Sequence, residues 1–140
     1  MKKLILFFIL LPPYFLSCSN SSEGISGKPE NDVDAARMFI RSALDGRWKE
    51  ARKLILPDSA NIEDLEVAER NYTERMNAVD QRGYRESQIT IHDTRKINDS
   101  ASVIIYSNTF KKERDSVKAV HHNGEWLVDL TYSFPNSNRQ

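Results

Sequence analysis

The sequence predicts an α+β domain in which helices pack on one face of an antiparallel sheet. Three observations predict it. Apolar residues recur at helical spacing from position 32 to about 83, residues 85–131 alternate with period two, and turn dipeptides punctuate the alternating half. A chain of 140 residues has room for one hydrophobic core. Twenty Lys and Arg against 20 Asp and Glu leave no basic footprint for nucleic acid, and a single Cys excludes an internal disulfide framework.

The first helix begins at Asp32 and places Val33, Ala36, Ile40, Ala43 and Leu44 on one face, with Phe39 alongside and Gly46 as its stop. Trp48, Ala51, Leu54 and Ile55 form a second short helix that Pro57 ends. A third starts at Asn61 as N-cap, with Glu63 and Asp64 suiting the positive end of the helix dipole. It carries Leu65, Ala68, Tyr72, Met76 and Val79 inward and ends at Gly83.

Four strands follow, over 85–96, 101–111, 116–122 and 125–131. Asn-Gly is the strongest short hairpin signal. A two-residue loop at Asn123-Gly124 sets His121 against Trp126, Ala119 against Val128 and Val117 against Leu130. On the reverse face Lys118 meets Asp129 and His122 meets Glu125. A loop at Asn98-Asp99 sets Ile91 against Tyr106 and Asp93 against Ile104. With Glu113-Arg114 as the middle turn, Phe110 opposes Val117 and Tyr106 opposes His121. One inner face results: Ile89, Ile91, Ile104, Tyr106, Phe110, Val117, Ala119, Trp126, Val128 and Leu130. A one-residue shift of the middle hairpin would turn Val103 and Ile105 inward instead.

Ahead of the domain, Lys2 and Lys3 precede an apolar run over 4–16 that Pro12-Pro13 interrupts, and Ser17 precedes Cys18. The run is shorter than the roughly 20 residues of a spanning helix and reads as an export signal. Phe15-Leu16-Ser17-Cys18 resembles the lipobox of bacterial lipoproteins, with Phe15 in the place that usually holds Leu. That resemblance implies removal of residues 1–17 and acylation of Cys18, and several acyl chains hold a protein firmly to a membrane. Ser19, rather than Asp, resembles the pattern sent to the outer membrane where a bacterium has two membranes. The expected address is the cell envelope. Loss of Lys2 and Lys3 leaves 18 basic against 20 acidic residues, a net of −2, so the membrane is met through the anchor. Residues 18–31 are a Ser-, Gly- and Asn-rich tether, about 20 Å in average span. The domain covers 32–134, and 135–140 form a tail.

The helix–helix–helix–sheet order, Gly46-Arg47-Trp48 and the closing Asn-Gly-Glu-Trp-Leu-Val strand look like the nuclear-transport-factor-2-like fold, closest to small bacterial lipoproteins carrying such a domain. The resemblance implies a curved sheet wrapped around its helices as a cone with a pocket. Relatives include ketosteroid isomerase, scytalone dehydratase and many binding modules, so fold alone does not select the activity.

The polar inner-face residues Asp93, Tyr106 and His121 are the candidates for acid–base chemistry, with Asp93 or His121 as base and Tyr106 as hydrogen-bond donor. Tyr106, Phe110, His121 and Trp126 are the expected pocket lining. Wet tips on apolar bodies at a sheet end explain the same residues without catalysis. His121 and His122 point to opposite faces and His92 has outward parity, so no metal pattern arises. No cofactor motif is present. Val103, Ile105, Val120 and Leu127 cluster on the outer face as a partner surface, and the fold resemblance implies dimerisation there. The function expected is a non-enzymatic, lipid-anchored module for a small apolar ligand or an envelope protein. The alternative is an isomerase- or dehydratase-type enzyme.

Overall fold

Asn31 opens the first helix: extended in backbone, it accepts the Asp34 N–H through its side chain at 2.9 Å. The computed structural model describes residues 27–133; the segment expected to be an export signal, Cys18 and the expected tail lie outside them. Helix α1 (Asp32–Leu44) buries Ala35, Ala36, Phe39, Ile40 and Ser42. Its end is a Schellman motif: Arg47 N–H bonds to Ser42 C=O at 2.8 Å and Gly46 N–H to Ala43 C=O at 3.1 Å. Gly46 has φ of +72°, a conformation that side chains disfavour.

Helix α2 (Trp48–Arg52) is shorter than expected. The chain straightens after it, and Leu54 C=O and Leu56 N–H bond Val128 at 2.8 and 3.0 Å. Ile55, expected in the helix, bridges Val128 in parallel fashion and is buried. Helix α3 (Ser59–Arg70) starts at Asp58, whose side chain accepts Asn61 N–H at 2.9 Å. The expected cap, Asn61, thus lies within the first turn of the helix and is almost wholly buried, with its Nδ2 donating to Asp58. A π-helical turn (Asn71–Arg75) follows, and the chain breaks at Met76. Asn77 then caps a separate helix, α4 (Ala78–Glu86), by accepting Asp80 N–H at 2.9 Å. The single third helix of the sequence reading is therefore two, and Gly83 lies inside α4 where it was expected to end the third. A Cβ there would come within 2.3 Å of the Phe110 ring, which packs edge-on against Tyr84.

Strands β1 (Ile89–Asn98), β2 (Ala101–Asn108), β3 (Arg114–His122) and β4 (Glu125–Asp129) form an antiparallel meander in the order β1-β2-β3-β4. A short helix, α5 (Leu130–Ser133), follows directly. Asn123 and Gly124 both have positive φ, as their two-residue hairpin requires. His121 meets Trp126, Ala119 meets Val128, Lys118 meets Asp129 and His122 meets Glu125 in the anticipated register. The Val117–Leu130 pair is not part of this ladder, because Leu130 already belongs to α5. Burial alone would raise the Asp129 carboxyl, but hydrogen bonds from Thr131 and Lys118, with the Lys118 charge, outweigh it and lower it.

Two registers differ from expectation. A bulge between Ile91 and Asp93 keeps Ile91 opposite Tyr106 but sets Asp93 opposite Ile105 and Thr94 opposite Ile104. Asp93 therefore lies on the outer face. In the middle hairpin Ile104 meets Val117 and Tyr106 meets Asp115. The turn sits at 109–113 instead of Glu113-Arg114, and each strand slides six residues against its partner. An even slide preserves parity, so Ile104, Val117, Ala119, Val128 and Leu130 still share the core. Ile89, Ile91, Tyr106 and Trp126 pack against its edge. Phe110, half-exposed in the turn, leaves that face and joins α4.

Candidate functional site

The inner sheet face meets α1 and α3 incompletely. A cavity of about 130 Å³ remains, lined by Phe39, Ile40, Ala43, Leu44, Trp48, Ala68, Val117 and Leu130, with Tyr106, Asp115, Ser116 and Ser133 as its polar wall. Helical spacing brings Phe39, Ile40, Ala43 and Leu44 to it from α1, and strand parity brings Tyr106 from β2 and Val117 from β3. Ser133 Oγ donates to Ser116 C=O at 2.8 Å and ties α5 across the sheet end.

The Tyr106 hydroxyl donates to Asp115 Oδ2 at 3.3 Å, while Asp115 Oδ1 accepts its own neighbour's N–H from Ser116 at 2.7 Å. Burial, followed by the Asp115 charge and hydrogen bond and by Tyr84, pushes the Tyr106 phenol well above its ordinary value. Tyr106 is therefore held as a neutral donor. Asp115 is exposed and, among the described residues, is the one charged side chain of the lining. Trp48 packs edge-on to Tyr72 at 5.6 Å between ring centroids, and its indole N–H is buried without a partner among the described residues.

The residues expected to work together are apart. Tyr106 lines the cavity. His121 lies at the far end of β3, where its N–H bonds Ser100 C=O and its ring stacks obliquely on Trp126 at 5.1 Å. Ser100 is six residues from Tyr106, about 20 Å at strand rise. Asp93, on the opposite sheet face, pairs with Arg95 at 3.0 Å. Asp93, Tyr106 and His121 thus form no common acid–base cluster. Neither Phe110, His121 nor Trp126 lines this cavity.

On the outer face Val120 opposes Leu127, and Ile105 and Val103 lie along β2. Val103 and Leu127 are buried, while Ile105 and Val120 are half-buried. His92 bonds Ser107 Oγ at 2.8 Å. Among the described residues no group of three or more His, Cys, Asp and Glu is placed to hold a metal ion.

Asp115 is the site residue that sequence reasoning missed. A turn at Glu113-Arg114 would leave it next to that turn, and the six-residue slide of the middle hairpin sets it opposite Tyr106 instead. The available signal was Asn108, whose side chain accepts the N–H groups of Phe110 and Lys111 at 3.1 and 2.8 Å and so starts the turn early. Fold and site together define an α+β domain with an apolar cavity bordered by a phenol–carboxylate pair. No protein-family model matches the chain, and a search of curated proteins found no match.

Proposed function

We propose that this protein is a lipid-anchored binding module of the bacterial cell envelope, built on a nuclear-transport-factor-2-like cone, that holds a small apolar ligand. The observation that carries the reading is the apolar cavity between α1, α3 and the sheet, with Tyr106, Asp115, Ser116 and Ser133 as its polar side. Helices followed by an antiparallel meander, with α1 laid across β2, β3 and β4, support the cone. The lipobox-like segment ending at Cys18 supports the anchor. No helix of the described residues is long and apolar enough to cross a membrane.

Native mass spectrometry of the protein extracted from its own envelope tests the binding reading. A retained small molecule that is lost from Ala68→Phe, which fills the cavity, is the expected result. Identical spectra without adduct for both proteins would contradict it. Labelled palmitate entering the wild type but not Cys18→Ala tests the anchor separately.

A further inference from the structure

We infer that the ligand of this cavity is a compact, ring-sized apolar molecule carrying one hydrogen-bond-donating head, a hydroxyl or an ammonium, which the Asp115 carboxylate receives at the mouth. The inference rests on the binding-module reading and adds the ligand's chemistry. Size comes first. An apolar cavity of about 150 Å³ takes up benzene, and this one measures about 130 Å³. A monocyclic body fits it, and a long acyl chain would leave most of its length outside.

The head follows from the polar wall. Among the described residues of the lining Asp115 has no cationic neighbour, so an anionic head would stand against a carboxylate that none of them compensates. Each Asp115 oxygen accepts one protein hydrogen bond, and an ionised carboxylate has about four lone-pair positions. Acceptor capacity is left over on an exposed group. Tyr106 spends its proton on Asp115, so the pair as a whole presents acceptors to an incoming head. The Tyr106–Asp115 side of the wall asks for a donor, whereas the unpartnered indole N–H lies on Trp48 of α2.

Titration calorimetry at neutral pH on the full chain carrying Cys18→Ser, which removes the lipid attachment point, separates the possibilities with toluene, p-cresol, benzylamine and p-toluate. Benzylamine and p-cresol should bind about tenfold tighter than toluene, the worth of a charge-assisted hydrogen bond, and p-toluate should bind more weakly than toluene. Asp115→Asn, at an exposed position, should bring benzylamine down to the toluene level and relieve the rejection of p-toluate. Equal binding of p-toluate and p-cresol, or an unchanged order in Asp115→Asn, would overturn the inference. Toluene binding with no preference among heads sinks the donor-head inference alone. Failure of every probe, with Ala68→Phe indistinguishable from its parent, sinks the binding-module reading with it.

Discussion

Asn61 Oδ1 accepts the backbone N–H of Leu130 at 2.6 Å, a contact between the first turn of α3 and the point where β4 becomes α5. Both residues are almost wholly buried. The bond supplies a partner for an N–H that the strand ladder no longer satisfies, and it fixes where α5 turns across the cavity's end. Asn61→Ala removes the acceptor and leaves that N–H buried. The expected cost is about 1–3 kcal/mol, read as a lower urea midpoint at unchanged slope. Unchanged stability would mean that Leu130 finds another acceptor.

Arg41 caps a helix to which it does not belong. From α1 its guanidinium donates to the carbonyls of Ser87, Tyr84 and Arg85 at 2.6, 3.1 and 3.2 Å, where α4 presents its negative end. Asp45 holds it at 2.7 Å and also pairs with Arg47. Arg41→Met should destabilise the fold by about 1–3 kcal/mol. Hydrogen exchange should accelerate over 78–86 first, since those carbonyls lose their donor while Asp45 keeps Arg47. Uniform acceleration across the domain would contradict the capping role.

Gly46→Ala tests the link between α1 and the π-helical turn. The left-handed backbone costs a side chain about 1–2 kcal/mol, and the new Cβ would lie 2.9 Å from the Tyr72 ring. Both effects destabilise, and a lower thermal midpoint is expected. A midpoint equal to wild type would show that the turn relaxes without cost.

Tyr106 sets an alkaline limit. Its folded value is raised, so its contribution to stability is complete below the unfolded phenol value of about 10 and is lost as pH rises through the higher folded value. The tyrosinate absorbance difference between wild type and Tyr106→Phe should therefore develop only above the range in which the exposed phenols ionise. Ionisation of Tyr106 along with the others would contradict its burial beside Asp115.

The parts of this fold written in local chemistry were legible. Period-two alternation placed Ile104, Val117, Ala119 and Val128 on one face, and Asn123-Gly124 fixed its hairpin because both residues tolerate positive φ. The middle turn gave no such sign: its left-handed residue is Lys112, at φ of +63°, where glycine would have marked it. The bulge at His92 that turned Asp93 outward carries neither Gly nor Pro. The break between α3 and α4 is written in Asn77, a cap that sits inside an unbroken apolar rhythm from Tyr72 to Val79. A pocket was expected, but its size and, Tyr106 apart, its lining were beyond sequence. It depends on how far α1 and α3 stand from the sheet, a distance set by many side chains together, and its carboxylate arrived there by a slide in register.

Crystals of the protein pressurised with xenon test the central claim most directly, because xenon enters apolar cavities of this size. The account predicts one strong xenon peak bounded by Phe39, Leu44, Ala68 and Leu130. Density there from the chain's own side chains, with no xenon bound, would contradict it.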